Sequence, residues 1–331
     1  MLVDESRRLE TLALGPGDRK EIEALARQIA DCHGHLPLDH ADLLTAVDVE
    51  AGRLPSELAR TLARFREHGT PGGVLLIKGL PMDDQLPPTP ADGAHPGPWT
   101  DLALATVAEL MVMSRLGSVI AYADEKQGRL VQDIAPVLGA EERQENTGSK
   151  LLELHTEDGF HPNKPDFIGL FCVRPDHEGT ALTVAGSIRS VLPDLPEETV
   201  RLLRRPLFRI RLSSSFTGDG QDRYSSLLPV LTGPEEDPDM CVDFHAMESF
   251  DPRATAALAT LREHLERSLA GVAMEQGDLL IVDNRVAVHG RTGFRARHDG
   301  RDRWLRRCFV VTDIRASRGS RPTASRVHQP L

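Results

Sequence analysis

The sequence predicts a mainly β fold with helical decoration, and three observations predict it. Short apolar runs recur along the chain, each bounded by glycine, proline or aspartate, which is the pattern of strands feeding a sandwich or barrel. Helical spacing marks mainly the N-terminal part. No internal repeat and no interdomain linker interrupts the 331 residues. One β-core domain over residues 1–331 is the simplest organisation, and a chain of this length can bury a substantial core.

Gly15-Pro16-Gly17-Asp18 opens a helix that Ile22, Leu25, Ala26 and Ile29 continue at helical spacing. A second helix starts at Pro55-Ser56-Glu57-Leu58, where Ser56 can cap, and runs through Leu62 and Phe65. Val74-Leu75-Leu76-Ile77-Lys78 reads as a buried strand closed by Gly79 and Pro81. Residues 83–98 are dominated by Pro, Gly and Asp and read as a loop. Residues 102–116 read as an apolar helix in which Met111 and Met113 fill core space. Residues 121–128 read as a turn-rich loop and 130–134 as a strand; the charged stretch 141–149 then leads into a strand that carries His155. Further strands are expected at 166–173, 179–185, 208–212, 227–231 and 303–311, and helices at 192–203 and 252–269. The Ser-, Arg- and Pro-rich tail after Arg315 is expected to be mobile.

A net charge of -11 argues against a nucleic-acid surface. No apolar run approaches the ~20 residues that a membrane helix needs. At the N-terminus, Met1 to Arg8 place acids before the first bases with no apolar stretch behind them, so no secretion signal is expected and the cytoplasm is the expected compartment. Cys32, Cys172, Cys241 and Cys308 are scattered and are expected to be reduced and packed in the core.

The chemistry concentrates in Leu154-His155-Thr156-Glu157-Asp158-Gly159-Phe160-His161. In a strand, residues i and i+2 share a face, so His155 and Glu157 would point the same way. A third ligand comes from Gly277 to Arg291, where a turn and a β-branched run lead to His289. Two histidines and a carboxylate suit non-heme Fe(II) with one face left open, and they also suit hydrolytic zinc. The arginines discriminate. Arg303 and Arg307 would share one face of a strand with Arg306 on the other, and a buried strand does not carry an inward arginine without an anion to meet. Structural ion pairs are the alternative. Asp158 could simply cap a turn.

These motifs, His155 to Pro162, Leu280 to Arg291 and His298-Asp299-Gly300-Arg301-Asp302-Arg303-Trp304-Leu305, resemble the clavaminate synthase-like Fe(II)/2-oxoglutarate oxygenases. The likeness is to the branch of asparagine oxygenase and the arginine and lysine hydroxylases, and it covers nearly the whole chain. The resemblance implies a double-stranded β-helix of the jelly-roll, cupin-like type over about residues 120–312, with a helical N-terminal region. It implies that His155, Glu157 and His289 bind Fe(II), that Arg303 assisted by Thr183 pairs with the far carboxylate of 2-oxoglutarate, and that O2 is consumed. By the same resemblance Arg307 takes the α-carboxylate of a free amino acid, Glu125 its α-ammonium with Asn146 nearby, and Asp243 the end of its side chain. Decarboxylation of 2-oxoglutarate to succinate would then accompany hydroxylation at C3 or C4. Related halogenases replace the carboxylate ligand with a small residue; Glu157 is retained, which implies hydroxylation.

Arginine hydroxylases of this branch carry two acids, Asp-x-Asp, at the side-chain site, whereas this chain has Cys241-Val242-Asp243. One acid could serve lysine, a ureido group or an amide. The flanks Thr156 and Asp158 favour a basic or ureido side chain, that of arginine, lysine or citrulline, in specialised-metabolite and antibiotic biosynthesis. L-Asparagine 3-hydroxylation is the alternative, and a non-catalytic metal-binding jelly-roll protein is the alternative of another class. Residues 83–98 and 213–222 are the candidate lid segments.

Overall fold

The computed structural model describes residues 9–217 and 222–331. The N-terminal Met1–Arg8 stretch and part of the second candidate lid, residues 218–221, lie outside them.

Two sheets pack against each other. The larger has eight strands in the order Glu10–Ala13, Val74–Lys78, Leu279–Asp283, Phe167–Arg174, Trp304–Val311, Ser118–Tyr122 and Val327–His328, with Val131–Ile134 pairing to Trp304–Val311 as well. The smaller runs Ala270–Ala273, Leu182–Ser187, Ala287–Arg291 and Leu152–His155. Trp304–Val311 is buried along its whole length, and its alternation shows why. Trp304, Cys308 and Val310 face a helical layer, while Leu305, Phe309 and Val311 face the smaller sheet.

The helical layer is more than decoration. Pro16–His33, Ala41–Ala51 and Ala103–Ser114 pack on one another, and the last of these lies across the large sheet. Ala103–Ser114 is buried all round except near its ends, as a helix between other helices and a sheet must be. Pro252–Ser268 and Glu197–Leu203 cover the smaller sheet from its far side. The fold is therefore mixed α/β, with a helical layer against each sheet.

Several local expectations are corrected. Ala41–Ala51, which carries Leu43, Leu44, Val47 and Ala51 on a buried face, was not expected; its N-cap is the His40 ring, which accepts from Asp42 N. Ser56 is the first helical residue, and no side chain caps that helix. Ala121 and Tyr122 end a buried strand, Ser118–Tyr122, and do not open a loop. The run leading to His289 is two strands in different sheets, Leu279–Asp283 and Ala287–Arg291, separated by a turn. The tail is docked rather than free: Val327–His328 pairs in parallel with Ser118–Tyr122, and His328 is fully buried. All four cysteines are free, but Cys32 is exposed and Cys241 only partly buried, so two of the four depart from the expected core position.

Candidate active site

His155 ends the strand Leu152–His155 and lies directly across from His289 in Ala287–Arg291, with the ring centroids 4.4 Å apart. Glu157 lies just beyond the strand, so strand alternation does not place it. Asn284 does. Its Oδ1 accepts from Glu157 N at 2.7 Å, and its Nδ2 donates to the carbonyls of Glu157 at 3.0 Å and Pro165 at 2.8 Å. Asn284 is wholly buried in the turn between Leu279–Asp283 and the strand that carries His289, and thereby links the Glu157 segment to the turn that leads to His289.

Glu157 Oε2 stands 3.3 Å from His289 Nε2 and 4.0 Å from His155 Nε2, and the three donor atoms lie within 4.8 Å of one another. His155 Nδ1 sits 2.9 Å from the Glu153 carbonyl, an arrangement that turns Nε2 toward the cluster as a ligand. Burial, and then the neighbouring His155 ring, hold His289 below its ordinary value and keep it neutral, as ligation requires. For Glu157 burial pushes upward, but the Arg307 guanidinium and the two imidazoles outweigh it and hold the carboxyl well below the usual range. Two imidazoles and one carboxylate form a donor set that fits Fe(II).

Arg307 and Arg303 both face this space, as the alternation predicts. Arg307 Nη1 donates to Glu157 Oε1 at 2.8 Å and to Asn146 Oδ1 at 3.3 Å, Nη2 bonds to Glu125 and Gln132, and Nε donates to Gln132 at 3.1 Å. Gln132 is its register partner on the adjacent strand. Arg303 donates to Thr183 Oγ1 at 3.0 Å and has no carboxylate within ion-pair reach among the described residues, although it is buried. Arg291, cross-strand from Thr183, lines the same recess, and burial and then Arg303 lower its pKa to about 9. This recess holds two arginines, and Glu157, its one acid among the described residues, is bonded to Arg307 instead. Arg306 points the other way, to Asp133 at 3.5 Å and to Thr106, and is structural.

Glu125, Asn146, Asp243, Arg307, His155 and Glu157 line one cavity of about 270 Å³. His289, Thr183 and Arg303 line the adjoining recess, which shares His155, Glu157, Asn146 and Arg307 with it. All nine sequence-predicted residues therefore converge. Asp243 forms a β-bridge with His155, and its Oδ1 accepts from His245 N at 2.9 Å and Ala246 N at 2.8 Å. Ser213 to Ser215 also line the cavity. The 83–98 loop does not; it is pinned elsewhere, with Thr89 bonded to Gly300 O and Asp302 O. Asn284, Gln132 and Arg291 were missed. Gln132 could have been found from the alternation of its strand.

Comparison with known proteins agrees with this geometry. Residues 54–309 match the taurine catabolism dioxygenase TauD, TfdA family. The chain is 40% identical over 312 residues to the L-asparagine oxygenase of Streptomyces coelicolor, covering 94% of this chain and 92% of that protein. It is 37% identical to clavaminate synthase 2 of Streptomyces clavuligerus, covering 89% and 90%. The structure of an asparagine oxygenase in complex with Fe(II), 2S,3S-3-hydroxyasparagine and succinate superposes with a TM-score of 0.91 at 39% identity, covering 98% of this chain and all of that one. Hydrolytic zinc and a non-catalytic metal-binding role are thereby displaced: the chain belongs to the TauD, TfdA dioxygenases, in their clavaminate synthase-like branch, and is an Fe(II)- and 2-oxoglutarate-dependent amino-acid hydroxylase.

Proposed function

We propose that this enzyme hydroxylates C3 of free L-asparagine, on a double-stranded β-helix core formed by the two packed sheets. The observation that carries the reading is the bridge between Asp243 and His155. The acid that reads the end of the side chain is the cross-strand neighbour of a metal ligand, while Arg307, the α-carboxylate anchor, is bonded to Glu157, another ligand. Both anchors thus border the metal triad itself, which suits a short side chain. Cys241 gives no second acid and turns its thiol to the Gly159 carbonyl at 3.3 Å, so Asp243 stands alone to accept from an amide N–H.

In this reading His155, Glu157 and His289 hold Fe(II), and Arg303 with Thr183 fixes the far carboxylate of 2-oxoglutarate. With O2, the metal and co-substrate supply the oxidising power for C–H hydroxylation and release succinate and carbon dioxide. The protein's own part is positioning. Arg307 is paired internally with Glu125; an entering zwitterion replaces that pair, its carboxylate going to Arg307 and its ammonium to Glu125. Asn146, which touches both partners, is placed to follow the exchange.

A basic or ureido side chain is the second reading. The lack of any cation paired with Asp243 among the described residues favours it. The test is anaerobic reconstitution with Fe(II) and 2-oxoglutarate, then oxygen with asparagine, arginine, lysine, ornithine and citrulline, following succinate and the gain of one oxygen. Asparagine-dependent succinate supports the first reading, and turnover only with a basic or ureido amino acid supports the second. No turnover with any of them sinks both.

A further inference from the structure

Two buried carboxylate oxygens in the substrate cavity have no hydrogen-bond partner among the described residues: Glu125 Oε2 and Asp158 Oδ2. Their residues are only 7% and 8% exposed. A buried carboxylate oxygen without donors is costly and calls for an explanation. Asp158 also adopts φ +47°, in the left-handed region that disfavours most side chains, and such strain tends to persist where a site requires it. Its side chain makes no capping bond among the described residues; the turn is closed by backbone, His161 N donating to Asp158 O at 2.8 Å.

The neighbouring cations do not meet this need. Arg307 spends its donors on Glu125 Oε1, Glu157, Gln132 and Asn146. Lys126 donates to the Gly93 carbonyl. Three carboxylates, Glu125, Glu157 and Asp158, thus share one guanidinium. Glu125 and Asp158 line the same cavity, together with Glu157 and Arg307. A metal ion between them would stand beside Arg307, which is bonded to Glu125 itself. A primary ammonium fits better: it carries three N–H donors, and the carboxylate attached to it draws Arg307 away.

We propose that Asp158 is a substrate-binding residue, the second acid of an α-ammonium seat formed with Glu125. This rests on the free amino-acid reading above and adds a requirement to it: the substrate is unblocked at both ends, with an α-ammonium between two acids and an α-carboxylate on Arg307. An N-acylated or peptide-linked amine, or a carrier thioester, would leave one acid or the arginine unmet.

The experiment uses the full chain loaded anaerobically with Fe(II) and 2-oxoglutarate, titrated calorimetrically with L-asparagine and with succinamate, the same molecule without its amine. Asp158→Asn is the informative variant, since asparagine has nearly the same shape and tolerates the left-handed backbone. Loss of one charge-assisted contact should weaken asparagine binding roughly 10- to 100-fold. Binding of Fe(II) and 2-oxoglutarate should stay as in the wild type, and the asparagine-to-succinamate preference should shrink by the same factor. An unchanged preference in Asp158→Asn overturns the seat while leaving the proposed function standing. Loss of iron or 2-oxoglutarate binding in that variant also overturns it, because Asp158 would then act only by supporting Glu157. If the loaded wild type binds none of asparagine, lysine, arginine and citrulline, the free amino-acid reading fails and the seat fails with it.

Discussion

The guanidinium of Arg307 is joined to the carboxylate of Glu157 by a 2.8 Å hydrogen bond in the buried centre of the site. One arginine therefore touches a residue of the His155, Glu157 and His289 cluster while lining the cavity proposed to take the substrate. Because its fork also reaches Glu125 and Gln132, its geometry matters as much as its charge. Arg307→Lys keeps the charge and loses the fork. It should raise KM for the amino acid by about 10- to 100-fold, the equivalent of one or two charged hydrogen bonds, and leave KM for 2-oxoglutarate nearly unchanged. Arg307→Ala removes the guanidinium that, among the described residues, faces three buried carboxylates, and should cost about 3–5 kcal/mol of stability. Kinetics and urea denaturation of the two variants check both outcomes.

Arg303 presents the opposite imbalance, a buried cation beside a second one, Arg291, with no carboxylate within ion-pair reach among the described residues; Glu157, the acid of the recess, is bonded to Arg307. An uncompensated buried charge is tolerated where a ligand supplies its partner. Arg303→Met should therefore raise the melting temperature of the ligand-free protein and abolish the upward shift that 2-oxoglutarate gives the wild type. Thr183→Val, which removes one hydroxyl from Arg303, should weaken 2-oxoglutarate binding by about tenfold. A ligand-free Arg303→Met protein that melts earlier than the wild type would show that this arginine is structural.

Asn284 spends its amide on holding Glu157 in place, with three bonds of 2.7 to 3.0 Å. Asn284→Ala leaves one backbone N–H and two carbonyls buried with fewer partners, a loss of about 2–4 kcal/mol. Metal affinity should fall about 10- to 100-fold through the displaced carboxylate, as for outer-shell partners of metal ligands in general. Denaturation and metal titration of the same preparation separate the two effects. Wild-type metal affinity in a destabilised Asn284→Ala would mean that Glu157 is placed by other contacts.

The site was legible in the sequence to the extent that its chemistry is written in residue type and period. His155, His289, Arg303 and Arg307 sit on or beside strands, where alternation dictates direction, and Arg306 turned away as the period requires. Glu157 joins the cluster for a reason the alternation did not contain, since its position comes from Asn284, which is distant in sequence, and not from the strand. Asn284 was missed because a turn asparagine has an ordinary local explanation, and only tertiary contacts show its other one. Among the elements, Ala41–Ala51 escaped because its apolar face is short and its cap is a histidine, an uncommon N-cap residue. The tail looked mobile because its composition is polar; what orders it is pairing of Val327–His328 with Ser118–Tyr122, a long-range contact with no local signature.

Glu109 tests the helical layer independently of the site. It lies in Ala103–Ser114, fully buried, with neither carboxylate oxygen hydrogen-bonded among the described residues, and burial pushes its pKa up to about 8 although Arg306 pulls it down. A carboxyl whose folded pKa lies above the unfolded value of 4.5 gives its full stability below that value and loses it as pH rises through about 8. The wild type should accordingly lose on the order of a few kcal/mol between pH 5 and pH 8 from this residue alone. Glu109→Leu, apolar and similar in volume, should remove that slope. Urea midpoints of both proteins at pH 5 and pH 8 make the comparison, and the difference between them isolates Glu109 from other titrating groups, such as Asp283, which burial raises to about 6. If the two proteins lose stability in parallel, Glu109 has found a partner in solution and the helix–sheet interface is wetter than its packing indicates.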